Sequence, residues 1–194
     1  MVEEFGSGDG LLIVDVQNDF CPGGSLAVPE GDEIIPILNR WLALAREANL
    51  PIFASRDWHP ENHVSFRERG GPWPPHCIQD TQGAAFHPDL ELPEQSTIIS
   101  KGADPDRDQY SAFDDTELAK RLREEDVSRL WVGGLAQDVC VRASVMDGAR
   151  EGFEVHLILP ATRPVEASPG DGDRALEEMQ AAGAVIERSA GPGK

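Results

Sequence analysis

The sequence predicts an α/β protein, a three-layer α/β/α sandwich built around a six-stranded, mostly parallel sheet. Short apolar runs alternate along the chain with stretches of helical periodicity, which is the pattern of consecutive βαβ units. The first run, Leu11 to Val14, is apolar without interruption, as in a parallel strand that is covered on both faces. The 194 residues of the chain are enough for one domain of this kind with a full core.

The individual elements follow from the spacing of apolar residues. Strands are predicted at residues 11–14, 51–55, 96–100, 130–132, 155–159 and 184–186, and helices at residues 32–48, 115–124, 138–151 and 173–182. Pro36 falls in the first turn of the first helix, where a missing N–H costs little, and Gly152 and Gly183 are predicted to end the last two helices. One domain is expected over residues 10–188, between flexible tails at 1–9 and 189–194.

Residues 60–92 interrupt this alternation. The segment is rich in proline, glycine, histidine and tryptophan, and it shows little periodicity. A long segment without regular structure inside a compact domain usually carries function. We therefore expect it to contribute to a functional site rather than to link two domains.

Composition disfavours several classes of partner. Lys and Arg number 17 against 35 Asp and Glu, which gives a net charge of −18. An acidic surface repels phosphates, so neither nucleic acid nor a membrane is expected as a partner, whereas a small neutral substrate is not disfavoured. Three widely spaced cysteines, Cys21, Cys77 and Cys140, fit free thiols in a reducing cytoplasm. The oligomeric state is left open, a homo-oligomer included.

Four polar or reactive residues lie at or just past the predicted carboxyl ends of separate strands: Asp15, Asp57, Lys101 and Cys140. Ligands of parallel α/β sheets bind beyond these ends, so this rim is the expected active site. Cys140 would be a nucleophile at the start of a helix, where the dipole favours the thiolate. Asp15 would accept the thiol proton, and Lys101 would stabilise the thiolate. The alternatives are a cysteine buried as a small apolar residue, a capping aspartate and a solvated lysine.

The histidines indicate a metal site. Four of the five, His59, His63, His76 and His87, lie between residues 59 and 87. Asp57 and His59 point the same way from an extended backbone, and with His76 they form a plausible set of ligands for a divalent ion. His63 and Glu68 are candidate additional ligands. The alternative is that these side chains are ordinary polar groups of a loop.

Three aromatic residues lie in the predicted loops near this rim. They are Phe20, Trp73 and Tyr110, in a chain of which aromatic residues make up 6%. Such rings could enclose a flat aromatic ligand between them. They could equally pack as an ordinary lid over the core, and composition alone does not decide between the two.

Five groups of motifs follow one another in a recognisable order. They are Asp15-Val-Gln-Asn-Asp-Phe20; Arg56-Asp57-Trp58-His59-Pro60-Glu-Asn-His63-Val-Ser-Phe66; Trp73-Pro-Pro-His76-Cys77; Lys101-Gly102 with Tyr110-Ser-Ala-Phe113; and Gly133-Gly-Leu-Ala-Gln-Asp-Val-Cys140-Val. With these motifs the chain resembles the nicotinamidases, within the isochorismatase-like cysteine hydrolases, over about residues 10–188. Five motifs in order are more specific than any one of them.

The resemblance implies a set of catalytic residues. The triad would be Asp15, Lys101 and Cys140. The oxyanion hole would be formed by the backbone N–H groups of Ala136 and Cys140, after a cis peptide bond between Leu135 and Ala136. The fold implied by the family, a six-stranded parallel α/β sheet, agrees with the strands predicted above.

The resemblance also implies a cofactor, a substrate and a pathway. One divalent metal ion (zinc, iron or manganese) would be bound by Asp57, His59 and His76 and would accept the pyridine nitrogen of nicotinamide. The ring pocket would use the three loop aromatics, Phe20, Trp73 and Tyr110. The implied reaction is hydrolysis of nicotinamide to nicotinate and ammonia through a cysteine thioester, in NAD salvage, with pyrazinamide as an expected second substrate.

Two residues depart from the family pattern, and two other functions remain open. Gln137 stands where the family commonly has threonine, and Val139 where it often has an aromatic residue or histidine. Both are expected to border the site and to affect rate and substrate breadth. The first alternative function is a metal-independent relative that acts on isochorismate, carbamoyl-sarcosine or ureido substrates. The second is a catalytically inactive hydrolase scaffold that binds a ligand or a partner.

Overall fold

The computed structural model describes residues 5–191, which contain a six-stranded sheet with the strand order β3-β2-β1-β4-β5-β6. All neighbouring strands are parallel. The elements in chain order are β1 (Asp9–Val14), α1 (Ile35–Glu47), β2 (Ile52–Asp57), β3 (Thr97–Lys101), α2 (Leu118–Glu124), β4 (Arg129–Leu135), α3 (Arg142–Arg150), β5 (Glu154–Arg163), α4 (Asp171–Ala181) and β6 (Val185–Glu187). The predicted fold class is confirmed, and the sheet is parallel throughout.

Alternate side chains of β1 bury opposite faces of the sheet. Leu11 and Ile13 pack in the same core cluster as α1, whereas Leu12 and Val14 pack with buried residues of α2, α3 and α4. All four are fully buried, which explains why the strand is apolar without interruption. The helices therefore form two outer layers, as the predicted three-layer sandwich requires.

Strand β4 is longer than predicted because its glycines belong to the sheet. The sequence prediction ended this strand at residue 132, before Gly133 and Gly134. Gly134 has φ +135°, and a Cβ there would lie 2.0 Å from the carbonyl oxygen of Val14. Glycine thus allows β4 to approach β1 closely, and the pairing with β5 continues to Leu135 after a register shift.

The helix that follows β4 also differs from its prediction. Residues 137–141 form a π-helical turn, and α3 begins at Arg142, so Cys140 precedes the α-helix rather than opening it. The predicted end is confirmed. Gly152 has φ +91°, and the N–H of Phe153 donates to the carbonyl of Gly148 at 3.1 Å.

The long segment of residues 60–92 returns to the strand ends, as expected of a functional excursion. Its helical structure is a 3₁₀ turn at Arg67–Arg69, and isolated bridges pair Phe66 with Trp73, and Phe86 with Gln17. The segment therefore lies over the carboxyl end of β1. Within residues 5–191, no helix is long and apolar enough to cross a membrane.

The predicted tails are partly outside the described residues. Residues 1–4 and 192–194 are not described, so flexibility there stays a prediction. Phe5, which the prediction placed in the N-terminal tail, packs edge-on against Trp41 and Trp131, with ring centroids at 5.5 and 5.7 Å. Asp9 already belongs to β1. The ordered part of the chain therefore begins before residue 10, because these aromatic contacts hold residues 5–9 against the domain.

Candidate active site

The four residues of the predicted rim meet where the strand order reverses, at the carboxyl ends of neighbouring strands. Asp15 follows β1, Asp57 and Lys101 are the last residues of β2 and β3, and Cys140 lies in the turn after β4. All four are buried. In an open α/β sheet this crevice is where ligands bind.

Lys101 contacts all three of the other rim residues. Its Nζ lies 2.8 Å from Oδ2 of Asp15, donates to Oδ1 of Asp57, and lies 3.4 Å from Sγ of Cys140. The hydroxyl of Ser55, which the sequence did not single out, donates to Oδ1 of Asp15 at 2.7 Å. The predicted nucleophile, proton acceptor and cation are therefore in mutual reach.

Burial and the charge of Lys101 shift the pKa values of Cys140, Asp15 and Asp57 in opposite directions. Burial raises the pKa of the Cys140 thiol well above its ordinary value, and the Lys101 charge only partly opposes this. Burial likewise raises the pKa of Asp15, although Lys101 acts to lower it. For Asp57 burial also acts upward, but the charge of Lys101 holds the pKa of that carboxyl well below its usual range. The raised pKa of the Cys140 thiol favours the protonated sulfur before a substrate binds, which leaves a task for a proton acceptor.

Three candidate metal ligands converge beside Lys101, namely Asp57, His59 and His76. Their candidate ligand atoms lie within 4.8 Å of one another. Oδ2 of Asp57 is 3.4 Å from Nε2 of His59 and 3.7 Å from Nε2 of His76. Both imidazoles donate their other nitrogen, Nδ1–H, to a backbone carbonyl, that of Gly102 at 2.9 Å and that of Pro74 at 2.8 Å.

These hydrogen bonds test whether the three residues fit a cation. A neutral ring that donates from Nδ1 carries its lone pair on Nε2, so with both rings neutral two lone pairs face one carboxylate oxygen. Without a positive charge between them these groups would repel one another. Two imidazole nitrogens and a carboxylate are also a donor set that suits zinc and other divalent transition metals. The residues fit the expected metal ion.

Gly102 allows His59 to adopt this position. It follows β3 with φ +68°, and a Cβ there would lie 2.3 Å from Cε1 and 2.5 Å from Nδ1 of His59. Its N–H donates to Oε1 of Gln109 at 2.8 Å. The end of β3 therefore places both Lys101 and the acceptor that orients the His59 ring.

The other two candidate ligands, His63 and Glu68, are not brought into this cluster. Nε2–H of His63 donates to the carbonyl of Arg107 at 2.9 Å, and its Nδ1 accepts from the hydroxyl of Ser65 at 2.7 Å. The His63 ring stacks on His59 with 4.1 Å between centroids. Glu68 is exposed in the 3₁₀ turn. Their candidacy is corrected, because His63 has no ring nitrogen to spare and Glu68 points to solvent.

A cavity adjoins Cys140 and the three converging donors. The three aromatic residues singled out from the sequence, Phe20, Trp73 and Tyr110, all line it. Trp73 Nε1–H donates to the Tyr110 hydroxyl at 3.2 Å, which holds two of these rings in one arrangement. A flat ring could be held between these walls and the metal-binding side chains.

Sequence reasoning identified Val139 at the site but missed three other aliphatic residues of the cavity. Leu26, Val28 and Val165 also line it. Leu26 and Val28 lie in a turn-rich loop, and Val165 follows β5, so no periodic pattern marked them. Only the packing of these loops in three dimensions identifies them.

Comparison of the whole chain with known proteins agrees with this site. The isochorismatase domain family matches residues 9–190. The chain belongs to the isochorismatase family.

Within the isochorismatase family, the chain is similar to nicotinamidases and pyrazinamidases. It is 40% identical over 197 residues to the nicotinamidase of Escherichia coli (strain K12), with 91% of this chain and 92% of the relative covered. The pyrazinamidase of Pyrococcus horikoshii in complex with zinc has a TM-score of 0.90 and 49% identity, covering 94% of this chain and 99% of the other. PnC1 from L. infantum in complex with nicotinate has a TM-score of 0.89 and 36% identity, covering 98% of each chain. The resemblance drawn from the motifs is confirmed.

Of the two departures from the isochorismatase-family motif, Val139 lines the cavity and Gln137 does not. Gln137 Nε2 donates to the carbonyl of Gly172 at 3.0 Å, and its Oε1 accepts from the Thr162 hydroxyl at 3.1 Å. Gln137 therefore ties the turn that carries Cys140 to α4 and β5. The expectation that Gln137 borders the site is corrected, since its side chain is directed to α4 and β5 and does not line the cavity.

The turn before α3 has the backbone form that the family implied. The peptide bond between Leu135 and Ala136 is cis. Ala136 and Cys140 both line the cavity. The N–H groups of Val139 and Val141 both donate to the carbonyl of Ala136 at 3.1 Å, which closes the turn.

Proposed function

We propose that this chain is a nicotinamidase, which hydrolyses nicotinamide to nicotinate and ammonia through a thioester at Cys140. The observation that carries the proposal is that Asp57 directly connects the catalytic residues with the candidate metal ligands. One carboxylate oxygen of Asp57 accepts from Lys101, next to Cys140, and the other faces Nε2 of both His59 and His76. The E. coli and L. infantum relatives support the choice of a pyridine substrate.

Asp57, His59 and His76 would hold the metal ion. Bound there, the ion would act as a Lewis acid toward the pyridine nitrogen and so anchor the ring. We propose zinc, because the P. horikoshii relative is in complex with zinc and the donor set suits it. Phe20, Trp73 and Tyr110 would enclose the ring from the sides.

Asp15 and Cys140 would carry out the acylation. As Sγ forms a bond to the carboxamide carbon, Asp15 takes the thiol proton and the carbonyl electron pair moves onto oxygen. The backbone N–H groups of Ala136 and Cys140 would donate to this oxyanion. Asp15 then returns the proton to the amide nitrogen, the C–N bond breaks, and ammonia leaves a thioester. The raised pKa of Asp15 suits a group that must both accept and return a proton near neutral pH.

Water would complete the cycle along the same path. Asp15 takes a proton from water as its oxygen attacks the thioester carbon, the C–S bond breaks, and the sulfur regains the proton. The acid passes its own proton to ammonia, so nicotinamide and water become nicotinate and ammonium. Lys101, whose pKa the two carboxylates raise well above its ordinary value despite burial, stays charged throughout.

The same proposal covers the cellular compartment of the reaction and the range of substrates. Three free cysteines fit a reducing cytoplasm, where the reaction would serve NAD salvage. Pyrazinamide has a ring of the same size and the same carboxamide, so we expect it to be cleaved as well. The alternative of a metal-independent relative is disfavoured, because such an enzyme would not need two histidines that face Asp57.

Replacing Cys140 with alanine tests the mechanism. We expect Cys140→Ala to lower the rate of nicotinate formation by at least about a thousandfold, because no other group supplies the thioester. The rate is measured by NMR, and thermal unfolding and zinc content should match the parent protein. Cys21→Ala is the matched control, since Cys21 is also a buried free thiol but does not line the cavity. Appreciable turnover by folded Cys140→Ala would contradict the thioester route.

A further inference from the structure

Gln17 is a fully buried polar residue to which the reaction above gives no role. It lies two residues beyond Asp15. Strands β1 and β2 pair in register up to Val14 and Ser55, and the same register would bring Val16 opposite Asp57. The pairing ends first, because β1 stops at Val14 and Asp15 turns the backbone away with φ +48°.

The side chain of Gln17 takes the place of the missing strand neighbour. Its Oε1 accepts the N–H of Asp57 at 2.8 Å, and its Nε2 donates to the carbonyl of Asp57, also at 2.8 Å. Its second amide hydrogen reaches the carbonyl of Ala84 at 2.8 Å. One N–H and two carbonyls can be satisfied by a single orientation of the amide, so the side chain is fixed.

Asp57, whose backbone Gln17 holds in this way, connects Lys101 with the two candidate histidine ligands. One carboxylate oxygen of Asp57 accepts from Lys101, and the other faces Nε2 of His59 and His76. Both sets of contacts depend on where the Asp57 backbone lies. A shift on the order of 1 Å is enough to impair such a site.

We propose that Gln17 is a positioning residue that holds the Asp57 backbone in place of a strand, so that one carboxylate serves the metal ion and Lys101 together. The inference rests on the proposed function only in taking Asp57, His59 and His76 as metal ligands. Outer partners of metal ligands commonly change affinity by about 10- to 100-fold when removed.

The test is zinc affinity of the full chain, measured by competition with a chromophoric chelator after the metal has been stripped. Gln17→Met keeps the side-chain length and removes all three hydrogen bonds, and we expect at least a tenfold rise in the dissociation constant for zinc. The visible spectrum of the Co²⁺-loaded variant should also change, because it reports ligand geometry. Gln17→Glu keeps an acceptor for the Asp57 N–H and serves if Gln17→Met does not fold.

Asn39→Leu is the matched control. Asn39 makes the same two-way amide contact with backbone, to the carbonyl of Asp89 and the N–H of Glu91, both at 2.9 Å, and it does not line the cavity. It should lose stability without losing zinc affinity. Zinc affinity within twofold of the parent in folded Gln17 variants, or a parent protein that binds no zinc, would overturn the inference. Weakened zinc binding in these variants, with no nicotinamide hydrolysis by the parent, would support Gln17 and contradict the proposed reaction.

Discussion

Two buried aspartates of this protein ionise because each has a basic side chain within hydrogen-bonding distance. Asp57 has Lys101 at the carboxyl end of the sheet. Asp9, at the amino end, accepts from Arg129 Nε at 2.5 Å and from a second guanidinium nitrogen at 2.8 Å, and also from the N–H of Gly6 at 2.6 Å. Asp15 shares Lys101 with Asp57, yet burial wins and raises its pKa. Asp15 and Asp57 thus differ in pKa although they share one cation, because the negative charge of Asp57 adds to burial in raising the pKa of Asp15.

Asp9 gives a prediction about stability and pH. Burial acts to raise the pKa of Asp9, but the hydrogen bonds from Arg129 and Gly6 lower it below its usual value. A depressed folded-state pKa contributes stability that is complete above the unfolded value, about 3.9, and is lost as pH falls through the folded value. Asp9→Asn should therefore lower the free energy of unfolding by about 1–3 kcal/mol at pH 7, and by less at pH 3.

Urea denaturation at several pH values measures this difference. The control is Asp106→Asn, which removes an ion pair with Arg69 on the protein surface and should change stability little at any pH. A loss in Asp9→Asn that is the same at pH 7 and pH 3 would show that the charge of Asp9 is not its source.

At the scale of single elements, the end of β3 determines how well the metal site forms. Gly102→Ala adds a Cβ that would collide with the His59 ring, so we expect zinc to bind at least about ten times more weakly. Gly152→Ala is the matched control, because Gly152 also has a positive φ but has nothing within 4 Å of the added atom. Both variants should lose about 1–3 kcal/mol of stability to backbone strain. Equal zinc affinity in the two variants would contradict the account of β3.

The order and type of the elements could be predicted from the sequence, but their ends near the site could not. Apolar spacing located the six strands and the four α-helices found within residues 5–191. Apolar spacing ended β4 too early, because two successive glycines usually interrupt a strand. Here Gly134 belongs to the strand, since glycine is needed where the backbone of Val14 comes close. It also began a regular helix at residue 138, since periodicity does not distinguish a π-helical turn from an α-helical one.

At the scale of the whole molecule, the parallel sheet explains why much of the site was predictable. Residues that end parallel strands share one edge, so Asp15, Asp57, Lys101 and Cys140 were expected together and are found together. The exclusion of His63 as an additional ligand was not predictable, because it lies in the same long loop as His76. It depends on which ring nitrogen finds a backbone or hydroxyl partner, and that is decided by contacts between distant segments.

The most direct test of the central claim is the rate of ammonia release from nicotinamide as a function of bound zinc. Metal-stripped protein should be inactive, and the rate should rise in proportion to zinc until about one ion is bound per chain. Full activity in protein shown to hold no metal would remove the metal from the account while leaving the cysteine chemistry. No release of ammonia at any zinc occupancy would contradict the proposed function itself.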